Sequence, residues 1–343
     1  MTARPFPTVK RSIALAGSRV SAPLRSFLES RPRPSPPIAQ LLQHYGPAGH
    51  RSEVLLFGDS VMNCVSRYDR NVVPLGRMLK DRLALQYQTC VVAEDGYHPE
   101  VFRVLTEVLL TLPNRPKLVI LAINIRCFSP QWDLNPDWQH QDVIDGARGF
   151  LADPTAGVPV TLAPRPSEED RHRYAATVVS CPGRPEATVA YYLRQIETRP
   201  ANPEAALERS RDIFSFHYLP IAVSQSRRLH SLQALLRRFR QLGCKVLCYV
   251  TPVNHEAGGR LLGRQFGEST SSTVATIQRA ASAEPWSPNH FTFADWSELL
   301  PSRSFFHDLD PTEHLNEEGR IRVSIEAAGV AARLLASDNA ALH

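Results

Sequence analysis

The stretch Val54-Leu55-Leu56-Phe57-Gly58-Asp59-Ser60 joins an apolar run to a glycine, an aspartate and a serine. Four apolar residues in a row predict a short buried strand, and Gly58 permits a sharp turn before a helix begins. Ser60 would then lie at a helix N-terminus, where partial positive charge favours a developing oxyanion. The segment therefore predicts a strand, a turn and a candidate nucleophile, with an Asp/Ser helix cap as the purely structural alternative.

A second polar block lies near the C-terminus, in the segment Asp308-Leu309-Asp310-Pro311-Thr312-Glu313-His314. A serine nucleophile needs a base within hydrogen-bond reach and a carboxylate that orients the base. Ser60, His314 and Asp310 fill these three roles in our interpretation. Asp308 is the second choice for the acid, Glu313 is disfavoured because it is adjacent to His314, and a backbone carbonyl is a further alternative.

Two more apolar runs end on residues that can stabilise an oxyanion. The run at 91–93 leads to Gly96, whose N–H is a candidate donor, although a glycine there is also an ordinary turn residue. The run at 117–123 ends on Asn124, whose side-chain amide is a candidate donor, with an Asx turn as the structural alternative.

Taken in order, these blocks resemble the four-part signature of the SGNH/GDSL hydrolases, a family named for its Ser, Gly, Asn and His. The resemblance covers roughly residues 53–127 and 225–335. It implies an α/β/α sandwich with a five-stranded parallel sheet, Ser60 as nucleophile and His314 as base. It also implies an oxyanion hole formed by the Ser60 N–H, the Gly96 N–H and the Asn124 side chain.

Residues 124–132 also resemble the family branch that contains D-alanyl-lipoteichoic acid transfer proteins. Those proteins are membrane-anchored, so their substrate is not expected here. Three features depart from the family pattern. Asn124 is followed by Ile125 rather than an acid, Asp310 precedes His314 by four residues rather than three, and Ser60 has no glycine two residues on. The last departure argues against the nucleophile elbow of the α/β-hydrolases.

Strands alternate with helices along most of the chain. Strands are predicted at 54–57, 89–93, 117–123, 245–250 and 291–293, and helices at about 72–86, 99–112, 224–243 and 316–335. Such alternation is typical of a parallel sheet covered by helices on both faces. The predicted fold class is therefore α/β, as a three-layer sandwich.

Two regions fall outside this alternation. Residues 1–50 read as an N-terminal extension with short helical candidates at 21–30 and 38–44, and residues 51–343 as the hydrolase-like domain. Residues 128–222 are proline-rich and read as an insertion. Because the insertion follows Asn124 at the carboxyl end of a parallel strand, we expect a lid that selects substrate. Arg126, Trp132 and Trp138 are its candidate pocket residues, with an aromatic core of the insertion as the alternative.

Composition limits the remaining possibilities. The 343 residues are 43% hydrophobic, which suffices for a sizeable core, and the six cysteines lack regular spacing. We therefore expect a reducing, cytoplasmic environment, no metal and no cofactor. No run approaches the ~20 apolar residues of a membrane span, and no nucleic-acid-binding module is recognisable. The net charge of +5 is compatible with an acidic partner, although a solvated helix face explains arginines 237, 238 and 240 equally well.

The predicted activity is hydrolysis of an acyl ester or thioester, free or carrier-bound, through an acyl-serine intermediate. The same residues can transfer the acyl group to a sugar, alcohol, amine or carrier-bound metabolite instead. A catalytically silent binding protein on the same fold is a third reading, suggested by the altered acid spacing before His314.

Overall fold

A five-stranded parallel sheet forms the centre of the molecule. The computed structural model describes residues 37–130, 132, 140–152, 167–181, 183–224 and 226–336. The strands are β1 Val54–Gly58, β2 Thr89–Ala93, β3 Leu118–Ile123, β4 Lys245–Val250 and β5 Phe291–Asp295. All pair in parallel, in the order β2-β1-β3-β4-β5. The predicted α/β class and five-stranded sheet are confirmed.

Helices follow the strands and cover the sheet. In chain order they are α1 Pro37–Tyr45, α2 Ser60–Asn63, α3 Leu75–Leu83, α4 Pro99–Thr111, α5 Gln141–Ala152, α6 Glu168–Ala176, α7 Val189–Glu197, α8 Pro203–His217, α9 Arg227–Leu242, α10 His255–Leu262, α11 Arg264–Ser282 and α12 Glu317–Ala336. The predicted helix at 38–44 is found as α1, whereas the candidate at 21–30 lies outside the described residues.

Each strand of the sheet centre contributes to two cores, because alternate side chains face opposite sides. Leu55 and Phe57 pack into the cluster formed with α4, α9 and α11. Val54 and Leu56 pack into the cluster formed with α3 and α12. The arrangement is the predicted three-layer sandwich, with every residue of β1, β3 and β4 buried.

The region predicted as an insertion, 128–222, connects β3 to β4. Its helix α5 packs into the larger core through Ile144, Ala147 and Phe150. The later part has a small core of its own, which includes Val189, Tyr192 and Phe216. No helix among the described residues is long and apolar enough to cross a membrane.

The order of the strands reverses between β1 and β3, inside the sheet. From β1 the chain moves outward to β2, and from β3 it moves outward the other way to β4 and β5. Open α/β sheets bind ligands outside the carboxyl ends of the strands where the order reverses. Ser60 follows β1 and Asn124 follows β3, so both flank this position.

Candidate active site

Ser60 is held at the first position of α2, immediately after β1. The Asp59 carboxylate caps this helix by accepting a hydrogen bond of 3.0 Å from the Val61 N–H. A Cβ on Gly58 would lie 2.3 Å from Cγ of Met62, so only glycine permits this close return of the chain. The Ser60 side chain is therefore fixed by the turn, and the residue is only 9% exposed.

His314 lies on a loop that is anchored on both sides. Its carbonyl accepts a hydrogen bond of 3.1 Å from the Phe306 N–H, and Leu315 pairs with Phe305 in an antiparallel bridge. The fully buried guanidinium of Arg320 donates to the Leu315 carbonyl at 2.9 Å. These bonds attach the histidine loop to the start of α12.

The histidine and the serine meet at the carboxyl edge of the sheet. His314 Nε2 lies 3.0 Å from Ser60 Oγ, although the two residues are 254 positions apart in sequence. A hydroxyl and an imidazole at this distance can exchange a proton directly. The arrangement is the pairing that general-base activation of a serine requires.

The two candidate orienting acids differ in environment. Asp310 is 4% exposed, and its Oδ1 accepts hydrogen bonds from the Thr312 N–H and hydroxyl at 2.8 and 2.6 Å. Burial raises the pKa of Asp310 above its usual value, against the opposing effects of His307 and Thr312. Asp308 is exposed at the surface of the same loop. The structure thus distinguishes a buried carboxyl from a solvated one.

Glu313 faces away from the serine, into a buried polar cluster. It is 0% exposed. Its Oε1 accepts a hydrogen bond of 2.7 Å from the Tyr218 hydroxyl, and its Oε2 lies 3.2 Å from Nε of Arg126. The same oxygen accepts a hydrogen bond of 3.1 Å from the Asn124 side chain. Three donors therefore compensate the burial of this charge.

Asn124 links that buried cluster to the serine turn. Besides Glu313, its Nδ2 donates to Asp59 Oδ2 at 2.9 Å, while its Oδ1 accepts from the Arg126 N–H at 3.0 Å. An amide nitrogen carries two hydrogens. Both are directed at carboxylates, so Asn124 lies beside Ser60 but is already hydrogen-bonded.

Asp59 is a second buried carboxyl in contact with this amide. Desolvation raises its pKa to about 6, outweighing the hydrogen bond from Val61, the charge of Arg126 and the hydrogen bond from Asn124. Negative charge on Glu313 raises the pKa further. The charge state of the serine turn consequently changes in the mildly acidic range.

Gly96 lies in the turn that follows β2, which is the neighbour of β1 in the sheet. Its φ of +79° is in the left-handed region that favours glycine. The Tyr97 N–H closes this turn on the Glu94 carbonyl, at 3.1 Å. The closing bond does not use the Gly96 N–H.

Arg126 and Trp132, the two candidate pocket residues that the structure describes, lie together. The Arg126 guanidinium carbon is 5.9 Å from the centre of the Trp132 ring, which also packs against Phe216. The charge of Arg126 is nevertheless directed into the ion pair with Glu313. Trp138 lies outside the described residues.

No group of three or more His, Cys, Asp or Glu side chains suited to a metal ion occurs within the described ranges. None of the six cysteines, all of which lie in the described ranges, forms a disulfide, and four of them are buried. Burial raises the pKa of Cys181 to about 11, so this thiol stays protonated at neutral pH.

Sequence reasoning missed two residues that reach the site from α8. The Tyr218 hydroxyl contacts Glu313, and His217 contacts the Pro311 carbonyl in the histidine loop. Both lie in the segment set aside as an insertion. The available signal was the run Phe214-Ser215-Phe216-His217-Tyr218, where polar tips and aromatic rings crowd the end of one helix.

Comparison with known proteins gives matches in structure alone. No protein-family model matches the sequence, and a search of curated proteins finds no match. Among solved structures, a Streptococcus pneumonia protein provisionally described as a platelet activating factor is 11% identical, with a TM-score of 0.41 over 92% of this chain and 100% of that chain.

Two further solved structures are similar. A Bacteroides fragilis protein provisionally described as an acylhydrolase is 12% identical, with a TM-score of 0.38 over 88% of this chain and 97% of that chain. An acetylxylan esterase from Geobacillus stearothermophilus is 12% identical, with a TM-score of 0.35 over 86% and 95% of the two chains. At such low similarity, activity has to be argued from the residues of this chain.

Proposed function

We propose that this chain is a serine-dependent hydrolase of acyl esters or thioesters that acts through an acyl-serine intermediate. The observation that carries the proposal is the 3.0 Å contact between Ser60 Oγ and His314 Nε2. A serine hydroxyl is a weak nucleophile at neutral pH unless a base removes its proton. The resemblance of the sequence blocks to the SGNH/GDSL signature supports the same two roles.

In the first half-reaction, Oγ of Ser60 attacks the acyl carbonyl while His314 Nε2 takes the hydroxyl proton. The tetrahedral intermediate collapses, the bond to the leaving oxygen or sulfur breaks, and His314 returns the proton to the leaving group. In the second, His314 deprotonates a water that attacks the acyl-serine. Cleavage of this ester releases the acid and restores the Ser60 hydroxyl.

The proposed oxyanion donors are the Ser60 N–H, the Gly96 N–H and the Asn124 side chain. Because both amide hydrogens of Asn124 are directed at Asp59 and Glu313, its donation requires it to release one carboxylate as the oxyanion forms. Asp310 is the proposed orienting acid for His314, since a buried carboxyl interacts with a neighbouring imidazolium more strongly than a solvated one.

Acyl transfer is a second candidate, in which an alcohol, amine or sugar replaces water. The low exposure of Ser60 favours it to the extent that bulk water is kept from the acyl-enzyme. The region 128–222 is the proposed substrate-selecting element, because its residues Trp132, His217 and Tyr218 contact Arg126, Pro311 and Glu313 respectively.

The test is intact mass after incubation with a fluorophosphonate, which reacts with activated serines. The native chain should gain one adduct, Ser60→Ala should gain none, and His314→Ala should react far more slowly. Ser66→Ala is the matched control, because the Ser66 hydroxyl accepts a turn hydrogen bond from the Tyr68 N–H. No adduct on the native chain would support the silent binding protein instead, and an adduct retained in Ser60→Ala would show that another residue is the reactive one.

A further inference from the structure

Two buried polar atoms beside the candidate site have no hydrogen-bond partner among the described residues. They are the indole Nε1 of Trp132 and the Nε2 of His217. The two rings are neighbours, with centroids 5.8 Å apart. An unpaired buried donor or acceptor destabilises the fold, so an adjacent pair of them indicates that a further polar group binds between them.

The chemistry of each atom can be assigned. His217 Nδ1 lies 3.1 Å from the Pro311 carbonyl, which can only accept, so Nδ1 carries the proton and Nε2 presents a lone pair. Burial, and then the charge of Arg126, lower the pKa of His217 well below its usual value and keep the ring neutral. Trp132 Nε1 can only donate. The pair is therefore one donor beside one acceptor.

Both rings are held in place. His217 is 3% exposed and bonded to the histidine loop through Pro311, while Trp132 packs between Phe216 and the Arg126 guanidinium. Pro311 precedes His314 by three residues, so their Cα atoms are at most ~11 Å apart. A ligand group bound by the pair would thus lie close to the loop that carries His314.

We propose that Trp132 and His217 form a subsite for a hydroxyl group in the alcohol portion of the substrate. A hydroxyl accepts from the Trp132 N–H and donates to His217 Nε2 at once, which neither an alkyl chain nor a carbonyl can do. The inference rests on the proposed function and names its substrate class: esters of polyhydroxy alcohols, such as sugars. The same subsite holds the alcohol whether it leaves, as in hydrolysis, or attacks, as in transfer.

The kinetic test compares two esters of one shape, the primary acetate of glucose and cyclohexylmethyl acetate, which lacks the ring hydroxyls. Trp132→Phe should lower kcat/KM for the sugar ester roughly tenfold and leave the cyclohexyl ester within about twofold. His217→Phe also removes the bond to the Pro311 carbonyl, so it should lower kcat/KM for both esters and for the sugar ester roughly tenfold more. His217→Gln, which retains an acceptor, should recover part of the loss. Trp286→Phe is the matched control, because its N–H is bonded to the Ala281 carbonyl elsewhere in the fold.

A binding experiment distinguishes the subsite proposal from the hydrolase proposal. Calorimetric titration of Ser60→Ala with the glucose ester should give an affinity that falls roughly tenfold on adding Trp132→Phe. If the sugar ester binds in this way but native protein lacks turnover and fluorophosphonate labelling, the subsite stands and the hydrolase proposal falls. Equal losses of kcat/KM for both esters, or no binding of the sugar ester by Ser60→Ala, would overturn the subsite. Ordered water would then be the group that binds Trp132 Nε1 and His217 Nε2.

Discussion

Glu313 and His314 are neighbours in one loop, but Glu313 lies in the buried polar cluster and His314 lies beside Ser60. His314 is partly exposed and its Nε2 lies 3.0 Å from Ser60 Oγ, whereas Glu313 is completely buried and accepts from Tyr218, Asn124 and Arg126. The chain pairs with Phe305 at Leu315, so it is extended here and successive side chains face opposite ways.

The His314 side of the loop carries the proposed reaction, and the Glu313 side stabilises the fold. The histidine side contacts the proposed nucleophile, while the glutamate side is fixed by donors that compensate a buried charge. Asn124 contacts the buried side directly and lies beside the serine turn. Substitutions on the first side should therefore affect turnover, and substitutions on the second should affect stability.

The largest expected effect is on the reactive side. His314→Ala should lower kcat by roughly 10⁴-fold, because Ser60 loses its base, with little change in melting temperature. Steady-state kinetics on any ester turned over by the native chain, with thermal unfolding alongside, measures both. His230→Ala, at an exposed position of α9, is the control. A large loss of stability in His314→Ala would contradict the separation of residues that affect turnover from residues that affect stability.

Glu313→Gln tests the buried side. The variant leaves Arg126 without its nearest counter-charge, so the free energy of unfolding should fall by about 3 kcal/mol. Denaturant unfolding measures it, and Glu318→Gln, at an exposed position of α12, should change stability by less than about 0.5 kcal/mol. An unchanged unfolding free energy in Glu313→Gln would mean that the cluster is not the support described above.

Asp59 lies between the two sides of the site, and its titration should make the free energy of unfolding depend on pH. Its folded-state pKa of about 6 lies above the ordinary 3.8, so its contribution to stability is present at low pH and lost as pH rises through 6. Asp59→Asn lacks this titration. Between about pH 4 and pH 8 the variant should therefore gain ~2 kcal/mol relative to the native chain, whatever its constant offset. A pH-independent difference in unfolding free energy would contradict the raised pKa.

Asp310→Asn sharpens the assignment of the orienting acid. If Asp310 holds the His314 ring, the variant should lose roughly a hundredfold in kcat. Asp308→Asn, exposed in the same loop, should be within about twofold of native. The reverse order of the two losses would transfer the role to Asp308, and near-native kinetics in both would favour a backbone carbonyl.

Tyr218→Phe should give the smallest effect. It removes the donor to Glu313 Oε1 but retains the ring, so we expect a loss of about 1–2 kcal/mol in unfolding free energy and a turnover within a few-fold of native. Tyr68→Phe, at an exposed tyrosine, controls for loss of a hydroxyl. A turnover loss as large as that of His314→Ala would place Tyr218 on the reactive side.

The central sheet and helices α1, α3, α4, α9 and α12 could be predicted from local patterns, whereas α10, α11 and the helices within 128–222 were not predicted. Continuous apolar runs gave the positions of the central strands, and Gly58 and Gly243 marked chain reversals, the latter as a left-handed helix end with φ +72°. These signals are readable because buried strands and helix caps depend on residues that are close in sequence. The edge strand β5 was extended from three predicted residues to five, since pairing with β4 continues to Asp295.

The candidate site likewise has features that local sequence determines and features that it does not. The sequence by itself determined which residues end the strands, and hence that Ser60, Gly96 and Asn124 lie at one edge of a parallel sheet. Only the tertiary structure decided that Glu313 turns inward to Asn124 and Arg126, and that Tyr218 and His217 return from α8 to the histidine loop. Those contacts join residues about 90 or more positions apart, and side-chain direction there is set by packing and charge compensation, which no local pattern encodes.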